Sequence, residues 1–408
     1  MSAVTDYFRG NLRQYGILGA LIIIFVFFAI MSSGRLLNPN NIAALAQQVA
    51  SVAVLAMGMV SVIIAGHIDL SVGSVAAFIG AVMGQMMFTF EMSWPLAVAV
   101  GLGVGVAVGC WHGIWVALVR IPAFIVTLSS MLLFRGLCLV TLNSQTLGGF
   151  DQGFINISGA GLPKFFGHVP IYLKFLPTTM RGKADLFTMA VGLLAIAGLV
   201  VSAFRTRAAE RKHGLLPTPW SVSILKLVLL SVVIAFFTFL LSLSRIGTPI
   251  VLIIVAVLIV IFTFVQNRTV HGRNVYAIGG NLNAAILSGV NVRRVNFVIF
   301  INQGLLCAVC AILVTSRLGA ATPTMGTGFE LDAIAACFIG GAAVTGGVGK
   351  VSGAMTGALI MGLLTMGLSI LGVNSSWQMV IKGLVLLAAV ILDLTSKRRA
   401  VLGAVGQR

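Results

Sequence analysis

The chain has 408 residues, of which 59% are hydrophobic and only 9% are charged. An ordinary soluble domain carries about 25% charged residues, and nine acidic residues are too few to cover a globule of this length. The mean hydropathy of +1.09 and the net charge of +17 therefore indicate a membrane protein. We interpret its basic residues as those of loops between membrane spans, where they fix the orientation of the chain. We do not interpret them as a nucleic-acid-binding surface.

Apolar runs of about 17–25 residues, the length that crosses a bilayer as a helix, occur about twelve times. They predict an all-α polytopic membrane protein with a single transmembrane domain over residues 1–408. The spans lie near 17–33, 42–65, 70–90, 95–119, 122–142, 184–204, 222–243, 249–266, 295–315, 331–348, 352–371 and 376–394. The run 331–348 is the weakest, because four glycines between 340 and 347 interrupt it and favour a broken or re-entrant helix.

The orientation follows from the basic residues. With the N-terminus in the cytoplasm, most of the 26 Lys and Arg residues fall in cytoplasmic segments, as the positive-inside rule requires. An even number of spans then returns the C-terminus to the cytoplasm. The first apolar run follows two basic residues, Arg9 and Arg13, which is also the pattern of a signal peptide. We interpret it as an uncleaved anchor, because the rest of the chain is also predicted to be membrane-embedded.

Two longer segments interrupt the regular succession of spans. Residues 143–183 form a predicted outer, periplasmic loop that is long enough to fold as a small cap. Residues 205–266 combine an additional cytoplasmic segment with two further spans.

Residues 267–294 form a predicted cytoplasmic loop with a helix of its own. Asn281 is the expected N-cap, 282–288 a two-turn helix and Gly289 its C-terminal stop. So short a helix has little apolar surface to bury within itself. We expect it to dock on a partner protein, with folding against the membrane surface as the alternative.

The sequence offers no catalytic or metal-binding pattern. The glycine-rich run before Ser352 has Val344 and Val351 where a Walker A loop needs a glycine and a Ser or Thr. The five histidines are scattered, and the five cysteines lie inside apolar runs, so neither a metal site nor a disulfide is predicted. We expect no cofactor and no enzymatic activity.

Polar side chains inside the spans are costly in lipid and mark either helix contacts or a solute pathway. A stripe of hydroxyl and thiol groups runs along 122–142 with Arg135 on its flank, and two amides share one face of 295–315. On the last span a glutamine shares a face with Lys382, which we expect to snorkel to the outer surface. The candidate pathway residues are Thr127, Ser130, Arg135, Asn296, Gln303 and Gln378. Hydrogen bonding between helices is the alternative for all of them.

Glycines recur at every fourth residue from Gly101 to Gly113, and again at Gly353 and Gly357. This spacing lines them along one ridge of a helix and predicts close approach of a second helix.

The segment 66–74 reads GHIDLSVGS and predicts a helix that restarts inside the membrane, with Asp69 as its N-cap. A plain turn is the alternative. Glu330 and Asp332 occupy a similar place after a glycine-containing loop, and we predict that all three carboxylates cap half-helices, whose N-terminal ends are positive. The similarity suggests a duplicated architecture.

Longer strings resemble a known family. They are IDLSVGS at 68–74, IPAFIVTLSSMLLFRGL at 121–137, GRNVYAIGGNLNAAILSGV at 272–290, GTGFELDAIAACFIGGAAVTGGVGK at 326–350 and WQMVIKGLVLLAAVILD at 377–393. In content and order they resemble the permease subunits of bacterial ATP-binding cassette (ABC) importers for ribose, xylose, arabinose and galactose. The additional pair of spans within 205–266 is similar to that of the longer xylose and multiple-monosaccharide permeases.

The resemblance implies uptake of a monosaccharide, xylose or several sugars, across the bacterial inner membrane. It implies a separate ABC ATPase subunit, a periplasmic sugar-binding protein and a second permease chain in a homodimer, with membrane lipid around them and no nucleic acid. It gives the loop 267–294 a role in coupling to the ATPase. The implied coupling residues are Gly279, Gly280, Asn281, Ala284, Ala285, Ser288 and Gly289.

Within that loop, we expect the small side chains of Ala284, Ala285 and Ser288 to enter a groove of the ATPase. The competing hypothesis is an ion-coupled secondary transporter for a small polar solute, in which Asp69 or Asp332 takes the proton. Dependence of uptake on ATP distinguishes the two.

Overall fold

The computed structural model describes residues 12–171, 182–212 and 220–405. The helices are α1 (Leu12–Met31), α2 (Pro39–Ile64), α3 (Val72–Phe88), α4 (Trp94–Gly113), α5 (Ala123–Thr141), α6 (Gln152–Gly159), α7 (Leu186–Lys212), α8 (Trp220–Ser242), α9 (Ile250–Arg268), α10 (Val270–Gly280), α11 (Leu282–Leu287), α12 (Val292–Leu318), α13 (Phe329–Ile339), α14 (Val351–Ile370) and α15 (Ser375–Val405). Short strands are β1 (Leu147–Gly148), β2 (His168–Ile171), β3 (Gly182–Asp185) and β4 (Ala320–Ala321).

The predicted helical membrane architecture is confirmed at the level of helix content and apolar length. Among the described residues, eight helices are long and apolar enough to cross a bilayer, namely α2, α4 with its π-helical extension Ile114–Leu118, α5, α7, α8, α9, α12 and α14. Shorter apolar helical stretches lie within α1, α3 and α15. The count of twelve spans stays a prediction.

The run 331–348 is not a continuous helix. It holds α13, which ends at Ile339 after 11 residues, so at 1.5 Å per residue its length is about 16 Å, against about 30 Å of hydrocarbon. Gly341, Gly346 and Gly347 then adopt positive φ angles. The interruption that the glycines predicted is therefore present.

The core lies around α2. In its most apolar stretch 83% of the residues are buried, against 11% in α7 and in α8, which form a peripheral hairpin. α4 packs on α12 through the predicted glycine ridge. A Cβ added to Gly105 or Gly109 would lie 2.6 Å from Gly304 O or Ile301 Cα, which confirms the close approach.

The helix α6 lies at one end of the bundle, and we call this end the α6 end. There Gln47 Nε2 donates to Ser158 O at 2.7 Å, and Leu162 N donates to Thr248 O at 2.8 Å. β1 pairs with β4, and β2 pairs with β3. The described part of the segment 143–183 is thus folded onto the bundle, and its residues 172–181 lie outside the described range. Its location on the outer side of the membrane stays a prediction.

The opposite end carries α10 and α11, and we call it the α10–α11 end. α2 finishes here, since Gly347 N donates to Ile64 O at 2.8 Å and Gly279 packs against both residues. The two ends define the long axis of the bundle, and the interrupted helices lie between them.

Candidate substrate pathway and coupling face

Two interrupted helices meet by their backbones inside the bundle. Gly73, in the first turn of α3, lies so close to Gly326 that a Cβ on either residue would clash with the carbonyl oxygen of the other. Gly326 also has a φ of 72°, a conformation that a residue with a Cβ adopts only with strain. Glycine is therefore required on both sides of this contact.

From that meeting point the two half-helices run in opposite directions. α3 runs toward the α6 end, where Gly84 packs against Ala321 and Phe150. Residues 321–326 therefore run alongside α3, from the α6 end to the contact at Gly326. α13 then continues toward the α10–α11 end. Two positive helix N-termini therefore converge within the bundle, a geometry that transporters use for solute sites.

The helix restart at 66–74 is confirmed, but the assignment of Asp69 as N-cap is wrong. Ser71 occupies the N-cap position. Asp69 Oδ1 accepts hydrogen bonds from Ser71 N at 2.8 Å and from Ser71 Oγ at 2.6 Å. An aspartate side chain that bonds the backbone two residues on forms such a turn readily, so the buried carboxylate stabilises the approach to the helix rather than its first turn.

Glu330 and Asp332 lie in the first turn of α13, as the sequence indicated, but neither caps it. The N-cap is Gly328, which has no side chain to offer. Asp332 Oδ2 instead accepts from Lys382 Nζ of α15 at 2.8 Å. The expectation that Lys382 snorkels outward is therefore wrong, because an ion pair compensates both charges within the protein.

Thr127 and Ser130 of the α5 hydroxyl stripe, and Arg135 on its flank, form hydrogen bonds with neighbouring parts of the bundle. Thr127 Oγ1 donates to Ile68 O at 3.2 Å, and Ser130 Oγ accepts from Trp111 Nε1 at 3.3 Å. Arg135 Nη1 donates to Pro323 O at 3.1 Å and to Met325 O at 2.8 Å. α5 thus holds the non-helical segments that precede both half-helices, and this geometry favours the hydrogen-bonding alternative for these three residues.

The remaining pathway candidates do not form one site. Gln303 is buried against Gly58 of α2, without a hydrogen-bond partner among the described residues. Asn296 lies beside His67 toward the α10–α11 end. Gln378 donates to Val373 O at 2.9 Å and to Ser369 Oγ at 3.2 Å, in the turn between α14 and α15, and so lies apart from the others.

Sequence reasoning missed His112. It is almost fully buried, and its Nε2 lies 3.4 Å from Ser71 Oγ, so it extends the hydrogen-bonded group that begins at Asp69. A lone histidine in an apolar helix gives no periodic signal that could have selected it. In the described part of the chain, no group of three or more His, Cys, Asp or Glu side chains is placed to hold a metal.

The predicted loop helix is confirmed as α11. Asn281 Oδ1 accepts from Ala284 N at 3.0 Å, which is the expected N-cap bond, and Gly289 ends the turn with a φ of 81°. α10, which precedes it, was not predicted because its residues are mostly polar or small.

Of the three small side chains of α11 that we predicted to face a partner, Ala284 and Ser288 are exposed, whereas Ala285 is buried. Ala285 is only 4% exposed, and Gly279 packs on Ile64 and Gly347. The small Ala285 lets α11 lie close to its own bundle. The exposed side chains of α11 also include three large apolar ones, with Leu282 48%, Ile286 53% and Leu287 89% exposed.

The family described as "Branched-chain amino acid transport system / permease component" matches residues 41–390. The chain belongs to this family. The permease is 37% identical to the xylose transport system permease protein XylH of Escherichia coli K12 over 96% of its own length and 94% of the relative's. It is 36% identical to XylH of Haemophilus influenzae, over 95% and 98% of the two chains.

The ribose import permease protein RbsC of Bacillus subtilis is 32% identical to the permease, over 95% of this chain and 94% of the relative. No solved structure matches it significantly. The resemblance to sugar permeases is therefore confirmed over nearly the full length, and these relatives are permeases rather than enzymes.

Proposed function

We propose that this chain is the transmembrane permease subunit of an ABC importer that carries a monosaccharide, xylose or several sugars, across the bacterial inner membrane. The observation that carries the proposal is the near full-length similarity to permeases named for xylose and ribose. Energy comes from a separate ATPase subunit, because the glycine-rich run of this chain departs from a Walker A loop at two positions. A sugar-binding protein delivers the substrate at the α6 end.

The chain crosses the membrane twelve times, with both termini in the cytoplasm. Eleven crossings are helical, and the twelfth combines the segment 320–328 with the half-helix α13. The antiparallel course of that segment alongside α3, from Ala321 to Gly326, supports a full passage between the two ends of the bundle. The number of crossings is then even, as the distribution of basic residues predicts.

Coupling to the ATPase runs through α10 and α11. Leu282, Ile286 and Leu287 give α11 an apolar outward face, which is the surface that a helix-in-groove contact needs. Behind it, Tyr276 of α10 donates to Gly349 O at 2.7 Å, and Gly279 contacts Ile64 and Gly347. A displacement of α11 is therefore passed to the end of α2 and to the turn that follows α13.

The sugar passes between two copies of the permease by alternating access. Each copy contributes the region where its half-helices meet, and Thr127, Ser130, Arg135, Asn296, Gln303 and Gln378 stay pathway candidates of this proposal. Thr127 and Arg135 support the pathway indirectly, by fixing the segments that precede α3 and α13, and Ser130 bonds Trp111 of α4.

The test is uptake of labelled xylose and ribose by cells that express the permease with its ATPase and binding protein. Leu287→Glu should abolish uptake and weaken capture of the ATPase in a pull-down, because a charge replaces the most exposed apolar side chain of α11. Leu287→Met keeps an apolar side chain of similar volume at the same position, so it is the matched control and should behave as the wild type.

Unchanged pull-down and uptake in Leu287→Glu would show that α11 is not the contact. Uptake that survives an inactive ATPase but collapses when the proton gradient is dissipated would contradict the importer and favour the ion-coupled transporter.

A further inference from the structure

The segment 322–328, which leads from β4 into α13, has a covered side and an open side. On the covered side, Met325 is 5% exposed and Gly326 packs against the backbone of α3. On the open side, Thr324 and Thr327 are exposed. The segment forms turns rather than a helix, and Gly326 has a φ of 72°. Irregular backbone therefore reaches the surface of the chain at the two threonines.

This open side lies about midway along the bundle. Gly326 contacts Gly73, and Gly84 packs on Ala321 at the α6 end. Gly73 and Gly84 belong to one helix, so at 1.5 Å per residue the two contacts are about 16 Å apart. α13 covers a similar length in the other direction, toward the α10–α11 end. Thr327, next to Gly326, is consequently at the depth of the hydrocarbon core.

Hydrocarbon cannot cover this surface. Lipid tails offer no hydrogen-bonding groups, so irregular backbone at membrane depth occurs only where it is buried in protein or lines a water-filled cavity. Thr327 Oγ1 donates to Thr324 O at 2.8 Å, which closes the turn and leaves the lone pairs of both hydroxyl oxygens as acceptors. The open side therefore faces water or a second protein chain.

The helix α5 borders the same turn and brings a cation to this depth. Arg135 is half-buried, and its Nη1 donates to Pro323 O at 3.1 Å and to Met325 O at 2.8 Å. A guanidinium at the centre of a bilayer is costly, and such residues face the interior of a bundle or a water-filled cavity. Arg135 thus fixes the shape of the turn that presents Thr324 and Thr327.

We propose that Thr324 and Thr327 line a water-filled sugar path and that their hydroxyls bind hydroxyl groups of the passing monosaccharide. The inference rests on the proposed function, which supplies the sugar and the second permease copy across the path. A solute is favoured over direct contact with that copy, because two half-helices begin beside the turn near mid-membrane, where transporters bind their substrates. Arg135 is a positioning residue, since it acts on the sugar contact through the carbonyl groups of the turn.

The water-filled path is tested by labelling of single cysteines in a variant that lacks the five native cysteines, assembled with its ATPase and binding protein. A water-soluble methanethiosulfonate reagent is applied to both faces of the membrane. Thr324→Cys and Thr327→Cys should react on the order of tenfold faster than Leu229→Cys, because the reactive thiolate does not form in hydrocarbon. Leu229 is the control, since it is 57% exposed near the middle of the peripheral helix α8.

The sugar contact is tested by uptake of labelled xylose and ribose. Thr324→Val keeps the branched shape and leaves the bond from Thr327 Oγ1 to Thr324 O intact. We expect it to lower the uptake rate about fivefold at normal membrane yield, because one hydrogen bond to the sugar is lost. Thr324→Ser restores the hydroxyl and should restore uptake. Thr365→Val is the matched control and should behave as the wild type, since the Thr365 hydroxyl bonds Met361 O within α14 at 2.9 Å.

The proposal is overturned if the cysteines at 324 and 327 react as slowly as Leu229→Cys, because lipid or a second chain then covers the turn. It is also overturned if both thiols react quickly but Thr324→Val takes up sugar at the wild-type rate, since the path then holds water without a sugar contact. A wild type that takes up neither sugar contradicts the proposed function, whereas the labelling rates still decide whether the turn faces water.

Discussion

The three carboxylates near the meeting of the half-helices are accommodated in different ways. Asp69 is bound by the N–H and hydroxyl of Ser71, and Asp332 is paired with Lys382. Glu330 packs against Gly73, at the first turn of α3, where the positive helix end favours a negative charge. Asp69 and Asp332 are therefore each bound by a partner side chain, whereas Glu330 Oε2 is buried without a hydrogen-bond partner among the described residues.

The ion pair between Asp332 and Lys382 should be needed as a pair. Asp332→Asn leaves Lys382 without its counter-charge among apolar helices, and we expect the free energy of unfolding to fall by about 3 kcal/mol. The double variant Asp332→Asn/Lys382→Met removes both charges and should recover most of that loss. Denaturant unfolding of the purified permease gives the coupling energy, and a value near zero would show that the 2.8 Å contact contributes nothing to stability.

Asp69 should act through hydrogen bonding rather than through its charge. Asp69→Asn keeps a side-chain oxygen that forms the same turn, so we expect most of the membrane yield and sugar uptake to remain. Asp69→Ala leaves the buried Ser71 N–H without its acceptor, which costs about 1–3 kcal/mol, and the yield should fall. If Asp69→Asn abolishes uptake at normal yield, the charge itself is required, as the ion-coupled hypothesis supposes.

At the scale of elements, the contact between α4 and α12 depends on glycine at particular positions. Gly109→Ala places a methyl group against the backbone of Ile301, and we expect a loss of about 1–3 kcal/mol from overpacking. Gly103 lies on the same helix with nothing within 4 Å. Gly103→Ala should therefore be neutral or stabilise by up to about 1 kcal/mol, through helix propensity.

Thermal unfolding of the two purified variants makes this comparison. Equal melting temperatures for Gly103→Ala and Gly109→Ala would contradict close packing along the glycine ridge.

Most elements could be predicted from the sequence because the bilayer dictates the length of an apolar helix. The breaks at 66–71 and around 326 were signalled by glycines and acids. The end of α11 followed from its capping residues. α10 was missed because its buried stripe is short, with only Gly272, Val275 and Ile278 at three-residue spacing, and one of these is a glycine.

Long-range contacts could not be predicted in the same way. Nothing local to Lys382 indicates that it reaches Asp332, fifty residues earlier, and a two-turn helix such as α11 does not reveal which face lies on its own bundle. The small side chain of Ala285 is compatible with either a partner or the chain itself, and only the tertiary structure decides.

At the scale of the whole molecule, the distribution of basic residues predicts that the α10–α11 end is cytoplasmic, and labelling tests this prediction. Arg245 is exposed in the turn between α8 and α9, and its backbone N–H is bound to Asn40 Oδ1 at the α6 end, at 3.0 Å. Arg211 is exposed near the end of α7, one crossing of α8 away. Ser244, the neighbour of Arg245, is only 3% exposed and is unsuitable for a label.

Single substitutions Arg245→Cys and Arg211→Cys are made in a variant whose five native cysteines are replaced by serine or alanine. A membrane-impermeant maleimide should label Arg245→Cys in intact cells, after permeabilisation of the outer membrane. It should label Arg211→Cys only after lysis. Arg273→Cys on α10 is the control for the coupling end and should follow Arg211→Cys, because an odd number of crossings separates both from Arg245. Labelling of Arg211→Cys in intact cells, with Arg245→Cys protected, would invert the topology and move the proposed ATPase contact to the wrong side of the membrane.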